Sequence, residues 1–346
     1  MEKRIAIYGA GAMGTVLGAF LTYGGVQVDL ISRNEAHIQG LKTQGAVIEC
    51  SAEGNTLQVP VRALLTSEMQ GKYDLIFLMT KQRENPKTLA FLEDFLTEDG
   101  VVCTTQNGLP EESVATALGY EKTYGAVVTF GAKFIGGGRV ALTSKPSAMS
   151  IRVGGYGNDN GKAEEICKIL SAGAKLSGNL AFAGVTDNLA GARWSKLAVN
   201  SAFSGLSVVT GLTFGEIAKR RKTRKLALGI LREGVATAKL LGVTTEKMQG
   251  YELEQLFGLG NFFQNIKANV LLPIAMKNHA KLRSGMLADI QKGRKCEIDF
   301  INGVVAKMAR KAGGEAPLCE QVVEMVHGIE NGLYEISPQN IDFFEI

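Results

Sequence analysis

The hexapeptide Gly9-Ala10-Gly11-Ala12-Met13-Gly14 stands directly after an apolar run, Arg4–Tyr8, and opens a stretch of helical character, Met13–Tyr23. A Gly-x-Gly-x-x-Gly string alone says little in a chain with 42 glycines among 346 residues. Its flanks say more. Strand, glycine turn, helix and a second strand at Val26–Ile31 compose the βαβ unit that binds dinucleotides. The first glycine permits the tight turn, the second lets the backbone approach a pyrophosphate, and the third lets the helix pack closely on the sheet. The phosphates then rest on free N–H groups at the helix N-terminus, where the macrodipole favours negative charge. Gly9, Ala10, Gly11, Ala12, Met13 and Gly14 are therefore expected to bind a dinucleotide.

The alternation continues. Ala46–Cys50 and Leu57–Val61 read as an added hairpin. Asp74–Met79 is nearly all apolar, as a strand buried on both faces of a parallel sheet must be. Val101–Thr105 repeats that character, and Pro110 suits the first turn of a helix. Tyr124–Gly157 is rich in strands and glycine, Lys162–Leu170 is helical, and Ala181–Val185 is the last strand-like run. Beyond it nearly everything has helical spacing: Leu189–Val209, Phe214–Leu241, Thr245–Phe257, Ser284–Ala312 and Cys319–Leu333. The expected fold is α/β, a Rossmann-type doubly wound sheet over 1–185 followed by an all-helical substrate and catalytic domain over 186–346.

Charge and cysteine content narrow the class. Lys and Arg exceed Asp and Glu by 38 to 34, too little to call for nucleic acid, and the densest basic patch, Lys219–Lys225, reads as a solvated helix face. The longest apolar runs, Leu75–Met79 and Val270–Met276, fall far short of the ~20 residues that cross a bilayer. Five scattered cysteines and three histidines lack the spacing of a zinc site, so no metal is expected. An odd cysteine count fits a reducing cytoplasm. The N-terminus runs straight into a strand, so no signal peptide is expected.

The end of the second strand selects the nucleotide. An NAD site wants an acid there for the ribose 2′-hydroxyl. Asp29 lies within the strand, and the end reads Leu30-Ile31-Ser32-Arg33. Arg33, helped by Ser32, suits a 2′-phosphate, which favours NADP(H). In the second half, Trp194–Thr210 holds one charge, Lys196, in a helix apolar nearly all round. Burial lowers a lysine pKa, the setting for a general acid or base near neutrality. Asn200 and Ser204, four and eight residues on, share its face. Glu297 falls seven residues from Ile290 on an apolar stripe with Ile301, Val304 and Met308, where a carboxylate needs a partner or a task. Lys81 and Asn107 follow strands at their carboxyl ends, where doubly wound sheets bind ligands, within reach of the nicotinamide end or the substrate.

Together these residues resemble the ketopantoate reductases (2-dehydropantoate 2-reductases) of the 6-phosphogluconate dehydrogenase-like group. The matching stretches are Ile7–Gly14, Thr80-Lys81, Gln106-Asn107-Gly108, Arg193–Asn200, Met286–Ile290 and Glu297–Gly303. The resemblance implies hydride transfer from NADPH to the C2 ketone of a 2-oxo acid, with Lys196 as general acid, Asn200 holding substrate, Glu297 a substrate hydroxyl, and Asn107 and Lys81 positioning nicotinamide and substrate. It also implies Arg33 at the 2′-phosphate and the homodimer that helical second domains of this group often form. The chain departs from the family at two substrate positions: Ser204 replaces a common asparagine, and Ser284-Gly285 a common Ser-Ser. The stretch 242–283 is also longer than usual by roughly fifteen residues and carries Phe257, Phe262 and Phe263. A reductase of a bulkier 2-oxo acid, or of an imino acid, therefore stands beside reduction of ketopantoate to (R)-pantoate, and a non-catalytic NADP(H) sensor is the alternative from another class.

Overall fold

A computed structural model describes residues 3–157, 160–247, 253–254 and 262–345, without the side chains of 262–266. The chain divides into two compact units, the first comprising Met1–Gln106 with Pro110–Leu189, the second Asn107–Leu109 with Ala190–Ile346.

The first unit begins β1 (Ile5–Tyr8), α1 (Ala12–Tyr23), β2 (Val28–Ser32), α2 (Glu35–Gln44), β3 (Ala46–Cys50), β4 (Asn55–Val59) and β5 (Arg62–Leu65). It continues β6 (Tyr73–Leu78), α3 (Asn85–Glu93), β7 (Leu96–Thr104), α4 (Glu111–Leu118), β8 (Thr123–Val128), β9 (Ala132–Gly136) and β10 (Arg139–Leu142). β11 (Ile151–Gly155), α5 (Ala163–Ser171), α6 (Ala174–Ser177) and β12 (Ala183–Val185) close it. Eight strands form one sheet in the order β12-β11-β8-β7-β6-β1-β2-β5. The six strands from β8 to β5 are parallel, and β11 joins β8 antiparallel. The order of those six is that of a doubly wound nucleotide-binding sheet. Every residue of β1 is buried, and Ile7, Leu30, Ile31, Ile76 and Phe77 are fully so. Each such side chain stabilises the unit by about 1.5–3 kcal/mol relative to exposure.

The β3–β4 hairpin forms as expected, but β4 spans Asn55–Val59 rather than Leu57–Val61. Pro60 follows at once and has no N–H to continue a ladder. The hairpin extends into a second sheet, β4-β3-β10-β9, that the sequence pattern does not announce. This sheet is braced against α2 by close backbone approach: a Cβ on Gly40 would stand 2.1 Å from the Gly137 carbonyl carbon.

The second unit contains α7 (Leu189–Thr210, whose first residue belongs to the first unit), α8 (Phe214–Lys219), α9 (Arg221–Leu240), α10 (Phe262–Ala275), α11 (Gly285–Ile290), α12 (Asn302–Lys311) and α13 (Pro317–Glu330). α7 is its core, with Leu197, Ala198, Ala202, Phe203, Leu206, Val208 and Val209 all buried. Three expected helices differ. Phe214–Leu241 breaks at Arg220, whose extended backbone (ψ 132°) ends α8 and starts α9. Ser284–Ala312 breaks after Ile290: residues 291–293 form a turn with Gly293 at φ +68°, residues 294–297 are irregular, and the α-helix resumes only at Asn302. Of the expected helix Thr245–Phe257, residues 245–247 are not helical, and most of the remainder, with Phe257, lies outside the described residues. Phe262 and Phe263 begin α10, but their side chains also lie outside them.

Two carboxylates organise this unit across the chain. Glu233 on α9 accepts hydrogen bonds at 2.8 Å from the backbone N–H groups of Leu318 and Cys319, satisfying orphan donors at the start of α13. Glu330 at the other end of α13 accepts one at 2.7 Å from the backbone N–H of Cys296.

Candidate active site

In the first unit, the ends of β1, β2 and β6 converge on the glycine loop. The N–H groups of Gly9 and Ala10 both donate to the Ile31 carbonyl, at 3.0 and 2.8 Å, which fixes the loop beside Ser32 and Arg33. Gly9 has φ +111°, and a Cβ there would meet the Met79 carbonyl carbon at 2.6 Å. A Cβ on Gly14 would meet the Gly9 carbonyl oxygen at 2.4 Å, so the third glycine is what lets α1 start this close to its own loop. Gly11 differs from both: a Cβ there would meet nothing within 4 Å. Gly11 is also the N-cap of α1 and offers no side-chain cap to the first turn. The open cradle and uncapped N–H groups of Ala12, Met13 and Gly14 fit a dinucleotide pyrophosphate.

Arg33 leaves the end of β2 with its side chain 72% exposed, touching Glu84 at 3.6 Å. Ser32 accepts from the Asn34 N–H at 3.2 Å, and Asn34 caps α2 through His37 N–H at 2.9 Å. Asp29, the nearest acid, is occupied elsewhere. It takes a hydrogen bond from Tyr73 at 2.8 Å and pairs with Arg62 at 2.8 Å. At the end of β6, Lys81 is exposed, and the Thr80 hydroxyl is buried without a hydrogen-bond partner, an orphan group beside the glycine loop.

Two residues of this unit, Gln106 of the matched stretch and His37, have buried partners that spacing does not announce. Gln106 donates to the Thr80 carbonyl at 2.8 Å and to Asn85 at 2.7 Å, and accepts from Thr104 at 3.0 Å. This buried network fixes the chain just before Asn107. His37 is fully buried, and burial holds its pKa down to about 4, so the ring is neutral. Its Nδ1 accepts from the Gly138 N–H at 3.1 Å, which leaves Nε2–H to donate to Thr15 at 3.0 Å, one turn into α1. The signal for His37 was its place between Ala36 and Ile38; for Gln106, its place at a buried strand end.

In the second unit, Lys196 lies on α7 with part of its surface still open. Desolvation, followed by the neighbouring Arg193 charge, lowers its pKa to about 7. Arg193 is itself 2% exposed, a buried charge three residues before the lysine to which the sequence reading gave no role. Asn200 is half-buried one turn on, and its Oδ1 accepts from the Ser204 hydroxyl at 3.3 Å, so the expected trio does share one face. Ser284 is buried; its hydroxyl accepts from Met286 N–H at 3.1 Å as the N-cap of α11, and its own N–H donates to Ser207 of α7 at 3.2 Å.

Glu297 is half-buried but not on a helical stripe: it lies in the turn that precedes α12. Helical spacing from Ile290 does not reach Glu297, because the helix stops at Ile290 and the chain turns at Gly293. The segment nevertheless returns to α7, since Asn302 donates to the Ser201 carbonyl at 3.1 Å. Asn107 is exposed, and Gly108 after it takes φ +80°. Among the described residues no cluster of His, Cys, Asp and Glu could hold a metal, and no helix is long and apolar enough to cross a membrane.

A dinucleotide cradle joined in one chain to a lysine poised to exchange protons near neutrality is the equipment of a dehydrogenase or reductase. Residues 5–154 match the family described as ketopantoate reductase PanE/ApbA, and residues 188–330 its C-terminal counterpart. The chain belongs to the ketopantoate reductase family, whose members are oxidoreductases acting on a CH–OH group. A 2-dehydropantoate 2-reductase of Pyrococcus horikoshii is 28% identical over 316 residues, covering 91% of this chain and 93% of its own. A solved 2-dehydropantoate 2-reductase of Geobacter metallireducens is 26% identical with a TM-score of 0.78, covering 94% of this chain and 99% of its own. A D-mandelate dehydrogenase solved with NADH and anilino(oxo)acetate is also 26% identical, with a TM-score of 0.77, covering 95% and 99%.

Proposed function

We propose that this protein reduces the C2 ketone of 2-dehydropantoate to (R)-pantoate with NADPH. The observation that carries the reading is Lys196: a lysine brought down to about 7, partly open, one turn from an asparagine, in a chain both of whose halves match the ketopantoate reductases. NADPH would be held by the glycine loop, with Arg33 at the 2′-phosphate, and supplies the hydride. Lys196 Nζ donates the proton to the carbonyl oxygen as negative charge develops there. Asn200 holds the substrate, with its amide oriented by the bond from Ser204. Glu297 takes a substrate hydroxyl, and Lys81 and Asn107 orient nicotinamide and substrate. The Ser284 hydroxyl already caps α11, so any substrate contact uses its remaining hydrogen-bonding capacity. NADPH is favoured over NADH because Asp29 is engaged by Arg62 and Tyr73, while the residue at the strand end is a cation.

A second reading has its own support. Ser204 is smaller than the asparagine common at that position, and a relative at 26% identity is a D-mandelate dehydrogenase solved with an aryl-bearing oxo acid. Reduction of a bulkier 2-oxo acid is therefore the alternative. NADPH oxidation measured with ketopantoate and with a panel of branched and aromatic 2-oxo acids decides between them. The proposal predicts ketopantoate with the highest kcat/KM. An aromatic oxo acid ahead by tenfold or more transfers the assignment to the second reading, and no turnover with any carbonyl despite tight NADPH binding removes both.

A further inference from the structure

Glu297 lies between two residues that are each pinned to α13. Cys296, on one side, donates its backbone N–H to Glu330 at 2.7 Å. Asp299, on the other, meets His327 Nε2 at 2.9 Å, and His327 Nδ1 meets Glu330 at 3.2 Å. Both ring nitrogens thus face carboxylate oxygens, which only accept hydrogen bonds. A neutral imidazole would turn one lone pair toward a carboxylate, so the geometry calls for the imidazolium. The chain Cys296–Glu330–His327–Asp299 closes a loop around Glu297. It is firm at one end and soft at the other: the Glu330 side chain is 5% exposed, but His327 is 40% and Asp299 60% exposed.

We propose that Glu330 and His327 are positioning residues for Glu297, and that their clamp sets where the substrate's distal hydroxyl is held. This rests on the reading of Glu297 given above. The sequence alone does not reveal it, because the partners are some thirty residues downstream on a helix with no role of its own in the chemistry.

The charge state follows. Burial disfavours charge on His327, but its hydrogen bonds to Asp299 and Glu330 outweigh that and raise its pKa above the ordinary value. Burial likewise works against the Glu330 carboxylate, and its bonds from Cys296 and His327 keep its pKa low. The Cys296 thiol, pushed up to about 12 by burial and then by Glu330, stays protonated, with Asp289 adding to the same effect. Of His327, Glu330 and Cys296, it is His327 whose titration lies nearest neutrality. Its bridge is complete below the ordinary histidine value of about 6.5 and is lost as pH rises through the raised one.

Two variants test the clamp, each compared with the intact enzyme. Glu330→Gln should raise KM for the 2-oxo acid about tenfold, the scale of one lost charge-assisted hydrogen bond, with kcat within about threefold and NADPH affinity unchanged. Amide hydrogen exchange of the peptide containing 296–300 should accelerate in the same variant. The wild-type KM is expected to rise as pH climbs through the raised His327 value, and in His327→Gln that rise should disappear. Unchanged exchange in Glu330→Gln overturns the clamp. Faster exchange with an unchanged KM overturns its link to substrate. Failure of every 2-oxo acid as substrate would sink the functional reading instead, and the exchange measurement would still decide the clamp.

Discussion

Replacing Lys196 by alanine is expected to lower kcat about 10²–10⁴-fold, the usual scale for removing a positioned acid–base group. Three features of α7 argue for so large an effect. Trp194, Leu197 and Ala198 are buried beside the lysine, and the neighbouring cation, Arg193, does not give up its proton near neutrality, so it does not substitute as the acid. Burial and Arg193 together have moved the lysine to about 7, where its proton is readily given and regained. Asn200 follows one turn on, where it can hold the carbonyl compound in place. The dinucleotide cradle belongs to the other unit, so NADPH affinity, read by quenching or by fluorescence of the bound nicotinamide, should stay within about twofold of wild type. An unchanged kcat would remove Lys196 from the chemistry.

The second large effect concerns the nucleotide. Arg33→Ala should lower kcat/KM for NADPH by roughly 10–100-fold and leave that for NADH within about twofold, because a charge-assisted bond to phosphate is worth about 1.5–3 kcal/mol. The competing contact in the free protein is weak: the 3.6 Å approach to Glu84 involves a largely exposed arginine, and pairs of that kind contribute about 0–1 kcal/mol. High salt should blunt the NADPH preference for the same reason. Equal loss with both nucleotides would place Arg33 outside the 2′-phosphate site.

The first unit is legible because its constraints are local. A glycine that takes φ +111°, and another where a Cβ would stand 2.4 Å from its own loop's carbonyl oxygen, leave a mark in the sequence that no other residue can imitate. Buried strands such as β6 announce themselves by an apolar run. The second unit is legible only in part. Lys196 stood out as a single charge in an apolar helix, and the helical face with Asn200 and Ser204 follows from spacing alone. Glu297 was picked out for the wrong reason: periodicity carried the helix through Gly293, where the backbone turns to φ +68°. Its neighbours Cys296 and Asp299 are held by Glu330 and His327, partners distant in sequence that periodicity does not report. The same limit hid the second sheet of the first unit, where β3 pairs with β10 across some ninety residues, and the Gln106 network, in which each amide is ordinary until its partners are seen.

The pH dependence of kcat/KM for the oxo acid, followed by NADPH oxidation from pH 5.5 to 10, tests the central claim most directly. A general acid must be protonated in the free enzyme, so Lys196 predicts full activity below neutrality and a tenfold fall per pH unit above a break near 7. The oxidation direction should show the opposite limb, rising through the same value. A reductive kcat/KM that stays flat to pH 9, or that breaks only near the ordinary lysine value of about 10.4, would contradict the assignment of Lys196 as the proton donor.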